Sequence, residues 1–369
     1  MKILIVDAYY HKFLDSFYKK YGPFNNYDED LKHILAECFG TSDYYSYNLK
    51  KIGQKAKEII VNDEILQKKW ALENNLATNG NRFISKLQSL PYAYRLLGKP
   101  KWVQLLALDQ IKRYRPHVVY IQDLSILNPS TLGEVKKYCK LLVGQIASPL
   151  PPEKNLRQFD LIITSFPHFV QRFRRMGIKS EYLKLAFEPR ILKKIGKQKR
   201  IYDVTFIGSF TPYHMKGTKI LEEAIVNIPI NIWGQGIEFL SPFSPLRKCY
   251  HGEAWGIGMY KILAQSKIVI NRHISVAENN ANNMRLYEAT GMGAMLLTDK
   301  KKNLAELFDI GKEVVEYSKA EDLVQKINYY LKSDKQRSEI ARAGQRRTIT
   351  NYNYLETMKQ LIKLINRYI

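Results

Sequence analysis

The chain is poor in cysteine and in long apolar runs. Its 369 residues include three cysteines, Cys38, Cys139 and Cys249, which are too scattered for a disulfide framework or a metal cluster. No stretch reaches the roughly eighteen uncharged apolar residues that a membrane span needs. The first apolar run, residues 3–6, ends at Asp7, far short of a signal-peptide core. The sequence therefore predicts a soluble protein of the reducing cytoplasm.

Several well-known site motifs are also absent. The chain has no Walker A sequence, no G-x-G-x-x-G after a strand, no G-x-S-x-G, no H-E-x-x-H and no paired C-x-x-C. Two aspartates, Asp28 and Asp30, stand one residue apart in YDEDLK, but the surrounding pattern is that of a helix start. We therefore expect neither a bound metal nor a cofactor.

Acidic residues are strongly outnumbered by basic ones. The chain holds 58 Lys plus Arg against 35 Asp plus Glu, a formal net charge of +23, which favours anionic partners. Nucleic acid, an anionic membrane surface and phosphate-bearing substrates all gain from such a field. A lysine-rich solubilising surface is the structural alternative. Basic clusters lie at Arg172, Arg174 and Arg175, and at residues 193–200.

Short β-branched runs alternate with longer amphipathic stretches, which is typical of parallel α/β sheets. Strands are predicted in the first half at residues 2–6, 58–61, 118–122, 141–146, 161–164 and 182–185. The alternation restarts with strands predicted at residues 203–207, 230–233, 268–271, 294–298 and 313–317. This restart predicts two domains, 1–190 and 201–350, joined by a solvated basic linker at 190–200. We expect the final helix, within 351–369, to cross back to the first domain.

The most informative segment, residues 279–299, reads NNANNMRLYEATGMGAMLLTD. It joins a polar loop, a short helix, a Gly-x-Gly turn and a strand. Asn282 and Asn283 stand where the residue that caps a helix belongs, and helix N-termini at strand ends bind phosphates. Arg285 could then reach a diphosphate, and Glu288 could accept hydrogen bonds from ribose hydroxyls. The structural alternative is a plain helix with an Arg–Glu ion pair at i,i+3 spacing.

A family resemblance rests on several motifs in a fixed order. NMRLYEATGMGAMLLTD is followed by NLAELF, GKEVVEY, AEDLVQKINYYL and IARAGQRRT, and preceded by FIGSF and HGEAWGIGMYKILAQSKIVINRH. This series resembles GT-B glycosyltransferases of the spore-maturation-protein (CgeB)-like group, with a C-terminal group-1-type domain. In weaker form the resemblance extends to FGTSDYYSYNLKKIG and IASPLPP. It implies two Rossmann-like, doubly wound domains facing a cleft, the second binding a nucleotide-sugar.

The resemblance also implies roles for residues of the second domain. The counterpart of Glu288 binds the nucleotide ribose, and the residues before it, Met284 among them, bind the diphosphate. Many related retaining enzymes carry another glutamate eight positions earlier, where this chain has Asn280, with Glu278 two residues away. The stereochemistry of transfer is therefore left open.

Further donor-site candidates follow the predicted strands of the second domain. Gly208 and Ser209 match the position where a GT-B loop touches the donor phosphates, or they form an ordinary turn. Trp233 and Gly234 could line the nucleobase pocket, although Trp233 suits the core equally well. His273 could contact the donor phosphates or the transferred sugar.

Candidate general bases follow strands of the first domain, which should hold the acceptor. An inverting mechanism needs one base near the acceptor hydroxyl, and His or Asp at a strand end is the usual supplier. His11 and Asp123 are the candidates, and a purely structural role is the alternative for each.

The sequence thus favours a metal-independent glycosyltransferase of glycan biosynthesis. Its partners would be a nucleotide-sugar and a glycan, lipid-linked or protein acceptor, with peripheral contact at an anionic inner membrane face kept open. One alternative is a GT-B-fold sugar-nucleotide epimerase. Another, from a different class, is a non-catalytic basic nucleic-acid-binding protein, which we disfavour because the chain has no recognisable recognition module.

Overall fold

The computed structural model describes residues 1–76 and 100–369, which form two compact units. The first contains Met1–Leu183 together with Met358–Ile369, and the second contains Lys184–Thr357. Each unit is built around one sheet of parallel strands. No helix in these described ranges is both long enough and apolar enough to cross a membrane.

The first unit has a six-stranded sheet in the order β2-β1-β3-β4-β5-β6. Its strands are β1 Lys2–Asp7, β2 Lys55–Ile60, β3 Val118–Ile121, β4 Leu141–Gln145, β5 Leu161–Thr164 and β6 Ser180–Tyr182. Its helices are His11–Tyr21, Tyr27–Ala36, Tyr44–Lys51, Glu64–Glu73, Lys101–Tyr114, Pro129–Val135, Glu153–Leu156 and Pro167–Arg175. The central strands β3 and β5 are buried at every position, as expected when helices cover both faces of a parallel sheet.

The second unit has a five-stranded sheet in the order β11-β10-β9-β7-β8. Its strands are β7 Tyr202–Ile207, β8 Asn231–Trp233, β9 Ser266–Asn271, β10 Met295–Asp299 and β11 Val315–Tyr317. Its helices are Arg190–Ile195, Met215–Ile225, Gly256–Gln265, Met284–Gly291, Ala320–Lys332 and Asp334–Asn351, and a last helix, Tyr354–Ile365, runs from this unit into the first. Apolar residues of β7, β9 and β10 form one buried core with the flanking helices.

The predicted strands all correspond to observed ones, and the largest displacement is at β6. The strand was predicted at 182–185, but pairing with β5 begins at Ser180 and ends at Tyr182. β6 is the edge strand of its sheet. Its first two residues, Ser180 and Glu181, are polar and give no apolar signal, so the predicted strand began only at Tyr182.

The predicted solvated linker is more ordered than its composition suggests. Residues 190–195 form a helix with Ile191 buried. Arg200 is partly buried, and its guanidinium hydrogen-bonds backbone carbonyls of the second unit. The structure divides between Leu183 and Lys184, before the predicted linker.

The strand order creates one switch point in each sheet. In the second unit β8 lies on one side of β7, and β9, the next strand in sequence, lies on the other. In the first unit β2 and β3 flank β1 in the same way. Loops that leave the carboxyl ends of such neighbours diverge and leave a crevice, where α/β proteins bind ligands. Each unit therefore has one favoured edge for a site.

Candidate functional site

The carboxyl ends of β7 and β8 are held together by two glycines. Gly234 has φ 144°, and a Cβ at this position would lie 1.7 Å from the carbonyl oxygen of Gly208. The Gly208 N–H donates to the carbonyl of Trp233 at 3.1 Å, and Gln235 Nε2 donates to Ser209 Oγ at 3.1 Å. Only glycine fits at position 234, so the predicted Gly208 and Gly234 meet at the favoured edge.

Trp233 belongs to the core rather than to an open pocket. Its side chain is buried, stacks on His251 with ring centroids 4.5 Å apart, and meets Tyr202 edge-on at 5.2 Å. These aromatic contacts pack the indole against its own unit. Of the two roles that the sequence left open for Trp233, the structure favours packing.

Arg272 is a site residue that the sequence reasoning missed. It follows β9 directly, and its nearly buried guanidinium donates to the carbonyls of Ser209 at 2.8 Å and His214 at 3.2 Å. Its Nε is buried without a partner in the described chain, and burial lowers the pKa of Arg272 to about 10. The strand-end rule that selected His273 would also have selected its neighbour.

His273 holds the loop before the Met284–Gly291 helix. Its Nδ1 lies 2.6 Å from Asp299 Oδ1, and its Nε2 accepts from the Asn282 N–H at 3.3 Å. Burial acts to raise the pKa of Asp299, but His273 and then Lys301 outweigh it and lower that pKa to about 2. Because both ring nitrogens of His273 are engaged, the structure places this residue as a positioning group rather than a ligand contact.

Asn283 is the residue that precedes the Met284–Gly291 helix, but its side chain does not cap the helix. Its amide instead exchanges two hydrogen bonds with Asn271, at 2.8 and 3.1 Å, and donates to the Arg272 carbonyl at 3.1 Å. Asn282 is buried with φ 140° and accepts from Tyr287. First-turn N–H groups therefore lack the capping acceptor that an asparagine usually supplies.

The predicted Arg285 and Glu288 form the ion pair that the sequence left as the structural alternative. Arg285 lies 2.8 Å from Glu288 Oε2, and Tyr260 donates to Oε1 at 3.4 Å. Both side chains are mostly buried, and Arg285 Nε has no partner in the described chain. The pair fixes the Glu288 carboxylate on the helix. Met284, the first residue of that helix, is partly exposed.

Two glycines of the same segment lie at the other end of this helix. A Cβ on Gly291 would lie 2.5 Å from the ring of Phe187, and the Gly293 carbonyl accepts from Arg200 at 2.5 Å. They serve packing and turning before β10, so the structure separates them from the carboxyl edge.

The candidates of the first unit lie at its favoured edge with different surroundings. His11 is exposed at the start of its helix. Asp123 Oδ1 accepts from the N–H and hydroxyl of Ser125 at 2.9 and 2.6 Å, which gives it a turn-forming role. Asp7, which the sequence reasoning did not select, ends β1 and accepts from the Ala8 N–H at 2.7 Å.

Asp7 has the more unusual chemistry of these acids. Burial raises its pKa to about 7, against the Ala8 hydrogen bond and with help from the nearby charge of Asp123. The Tyr9 hydroxyl and Gln122 Nε2, on the same strand ends, are buried and have no partner in the described chain. A carboxyl near neutrality beside unused polar groups is typical of a functional edge.

Neither aspartate of YDEDLK is arranged as a metal ligand. Both belong to the first turn of the Tyr27–Ala36 helix. Asp30 is buried, accepts from the Phe24 N–H at 2.7 Å and pairs with Lys69. Asp28 lies 3.8 Å from Lys57.

Residues 217–363 match the family model described as glycosyl transferase-like. None of the curated proteins matches the chain significantly. Because the model covers less than half of the chain, it characterises the C-terminal region.

Solved structures resemble the chain over its whole length. HepE of Anabaena, in complex with UDP and glucose, is 13% identical, with both chains covered fully and a TM-score of 0.58. A Rickettsia africae glycosyltransferase is 15% identical, with coverage of 99% and 98% and a TM-score of 0.57. Sucrose-phosphate synthase of Thermosynechococcus elongatus is 9% identical, with the same coverage and a TM-score of 0.58.

These identities establish the fold, and the finer resemblance to the spore-maturation-like group stays a prediction. The chain therefore has the GT-B fold of glycosyltransferases, and its C-terminal region is similar to the glycosyl transferase-like family.

Proposed function

We propose that the chain transfers a hexose from a nucleotide-sugar to a hydroxyl of a glycan, lipid-linked or protein acceptor, without a metal ion. The observation that carries the proposal is the start of the Met284–Gly291 helix. It lies after β9, next to the switch point, and its first turn receives no hydrogen bond from the Asn283 side chain. Such a helix start attracts a diphosphate.

The positive charge needed by a leaving diphosphate is present at the same edge. Arg285 stands in the first turn of the helix, and its Nε is unused in the described chain. Arg272 is buried beneath the Gly208–Ser209 turn and donates only to carbonyls. Fixed cations and a helix dipole in a partly dry site stabilise developing charge without reorganisation. These groups would do the electrostatic work that a cation does in metal-dependent enzymes.

The ribose would bind to Glu288. Its carboxylate has two oxygens, each able to accept more than one hydrogen bond. Arg285 and Tyr260 use one position on each oxygen, which leaves acceptor capacity for vicinal hydroxyls. Since HepE was solved with UDP and with UDP-glucose, UDP-sugars are the first donors to test.

The transfer step exchanges one bond for another. The acceptor oxygen bonds to the anomeric carbon, the bond from that carbon to the diphosphate oxygen breaks, and the hydroxyl proton passes to a base. His11 and Asp123 are the predicted bases, and Asp7 joins them because a base works best with a pKa near the working pH. Asp7→Asn, Asp123→Asn and His11→Asn, assayed separately for kcat, would identify which group takes the proton.

Donor binding and turnover test the proposal directly. We expect calorimetry to show binding of UDP or of another nucleoside diphosphate and its sugar. Release of that nucleotide should depend on acceptor, and it should persist in excess EDTA because arginines and the helix supply the charge. Epimerised donor without acceptor would favour the epimerase. Activity lost in EDTA and restored by Mn²⁺ would refute the metal-free mechanism.

A further inference from the structure

A cavity of about 400 Å³ lies at the amino edge of the second sheet. Its lining includes four cationic side chains, Arg200, Lys267, Arg337 and Arg342. Arg200 precedes β7, Lys267 is the second residue of β9, and Gly293, also in the lining, precedes β10. The cavity therefore faces the amino ends of three adjacent strands, opposite to the edge that carries Ser209 and His273.

Among the described residues, Arg200 has no carboxylate partner. Its NH1 donates to the carbonyls of Leu263 at 3.1 Å and Ser266 at 2.8 Å, and its NH2 donates to those of Met292 and Gly293. Burial lowers the pKa of Arg200, and the neighbouring charge of Arg337 lowers it further. A cation held by neutral carbonyls beside a second cation leaves a positive potential in the cavity.

The acids near the cavity compensate only part of this charge. Lys267 pairs with Asp203 at 2.6 Å and Arg337 with Asp334 at 2.5 Å, but the two carboxylates are 61% and 80% exposed. Exposed pairs are screened by water and contribute little. Arg342 has no carboxylate partner in the described chain, and its Nε donates to the Ser338 carbonyl at 3.2 Å within its own helix. Four cations against two exposed carboxylates leave about two positive charges.

Hydrogen-bond donors remain for a ligand. The four N–H groups on NH1 and NH2 of Arg200 are already used, so this residue contributes mainly its charge and holds the strand ends in place. Arg342 uses only its Nε, and Lys267 has two further N–H groups beyond the one directed at Asp203. Ser338 also lies in the lining and brings a hydroxyl. A planar guanidinium, an ammonium and a hydroxyl form the donor set that proteins use for phosphate.

We infer that the cavity lined by Arg200, Lys267, Arg337 and Arg342 is a second anion site, which binds a phosphate group carrying about two negative charges. The volume falls within the usual range for small-molecule sites, roughly 300 to 1,000 Å³. β9 separates it from the proposed donor edge by six residues, on the order of 20 Å. The inference does not rest on the proposed function, and the phosphate can belong to a free phosphate ester or to a lipid headgroup.

Calorimetry with inorganic phosphate tests the site, using the full chain in low-salt buffer with UDP added to fill the proposed donor site. Arg342→Gln should weaken phosphate binding about tenfold to a hundredfold, because a hydrogen bond between charged groups is lost. Arg342→Lys keeps the positive charge but lacks the planar guanidinium, so it should lose less phosphate affinity than Arg342→Gln does. Lys219→Gln, at an exposed lysine outside the lining, makes the same change in net charge and should bind phosphate like the wild type.

A second experiment distinguishes a lipid headgroup from a soluble phosphate ester. Phosphatidylcholine vesicles with and without phosphatidic acid are sedimented with the wild type and with Arg342→Gln. If the wild type, but not Arg342→Gln, sediments with vesicles that contain phosphatidic acid, the ligand is a lipid headgroup. If neither protein sediments with these vesicles, yet phosphate binding in solution depends on Arg342, the ligand is a soluble phosphate ester. Phosphate binding that is undetectable at millimolar concentration, or equal in Arg342→Gln and wild type, overturns the inference. Both experiments measure binding and need no assay of catalytic activity.

Discussion

At the scale of single residues, two hydrogen-bonded side-chain pairs organise the carboxyl edge of the second sheet. Arg285 and Glu288 are joined along one helix, and His273 and Asp299 join β9 to β10. Deleting one partner of a buried ion pair costs stability because the other charge stays buried, whereas an amide of the same size keeps an acceptor oxygen for that partner. Substitutions at Glu288 and Asp299 therefore separate ligand binding from stability.

Glu288→Gln should lose donor affinity while the protein stays folded. Glutamine keeps the size of the side chain but offers no carboxylate to the ribose hydroxyls, and hydrogen bonds to charged groups contribute roughly 1.5 to 3 kcal/mol. The expected loss in UDP affinity is about tenfold to a hundredfold, measured by calorimetry. Glu321→Gln, at a side chain that is 70% exposed, is the matched control. Unchanged UDP binding by a folded Glu288→Gln protein would contradict the ribose assignment.

Asp299→Asn should destabilise the protein at neutral pH and lose this effect in acid. The folded pKa of Asp299 is about 2, below its ordinary value of 3.8. Its carboxylate therefore stabilises the fold above pH 4, and the contribution disappears as the pH falls toward 2. We expect about 2 kcal/mol at pH 7 and about half of it at pH 3 from urea titrations. Asp309→Asn, at a 54% exposed position, makes the same change in a side chain that folding leaves largely in water, and its smaller cost in stability at pH 7 is the control.

At the scale of elements, strand β2 carries a buried acid that opposes folding at neutral pH. Glu58 is 4% exposed, and its Oε1 accepts from the Ser46 N–H at 2.7 Å. Burial raises the pKa of Glu58 from 4.5 to about 7, although the Ser46 hydrogen bonds oppose the shift. The folded strand keeps a proton there that the unfolded chain releases.

Glu58→Gln should therefore stabilise the protein above pH 7 and do little near pH 5. When a folded-state carboxyl pKa is raised, stability falls as the pH rises through the window between the two pKa values, here about 4.5 to 7. Glutamine keeps an oxygen for Ser46 and has no charge to bury. The expected gain is about 3 kcal/mol at pH 8 and under about 1 kcal/mol at pH 5. Equal gains at both pH values would show that ionisation of Glu58 is not the cause.

The control for that experiment is Glu64→Gln, on the helix that follows β2. Glu64 is about half exposed and pairs with Lys68 at 2.5 Å, at i,i+4 spacing. Pairs of this kind contribute only about 0.3 to 0.5 kcal/mol. Its substitution should therefore change the free energy of unfolding by no more than about this amount.

At the scale of the whole molecule, the net charge of +23 exceeds what one diphosphate requires. Among the arginines of the Pro167–Arg175 helix, Arg174 donates to the Ser180 carbonyl at 2.9 Å and lies 3.5 Å from Glu181. Arg172 and Arg175 are exposed at the end of the same helix. These two are the arginines of the predicted cluster that suit an anionic acceptor or membrane.

Acceptor kinetics should depend on salt more steeply than donor binding does. Exposed charges lose long-range attraction as the Debye length falls from about 10 Å at 0.1 M to about 3 Å at 1 M. Partly buried Arg285 is screened less. The Michaelis constant for acceptor and the dissociation constant for donor are measured across this range, then repeated with Arg172→Gln combined with Arg175→Gln. Lys216→Gln with Lys219→Gln, also exposed, is the charge-matched control. If the acceptor Michaelis constant and the donor dissociation constant depend equally on salt, and the double variant behaves like wild type, the excess charge serves only as a solubilising surface.

Local pattern was sufficient for much of the fold. Each strand pairs within two or three residues of its predicted position, because apolar β-branched runs between amphipathic stretches suit a parallel sheet covered by helices. The start of the Met284–Gly291 helix after Asn283 and the Arg285–Glu288 pairing also follow from spacing of three or four residues. The helical setting of Asp28 and Asp30 was predicted on the same grounds.

The sequence by itself determined the strands, the two-unit organisation and the segment that carries the donor-site candidates, since these depend on neighbours along the chain. Tertiary structure alone decided which candidates are free to act. His273 became a positioning residue because Asp299, on another strand, takes its ring nitrogen. Asp7 acquired a pKa near 7 through burial. Arg200 is held by carbonyls far away in sequence and, within residues 1–76 and 100–369, has no carboxylate beside it. Solvation and charge at a site depend on groups that folding brings together. The periodicity of the sequence does not indicate the distances between those groups.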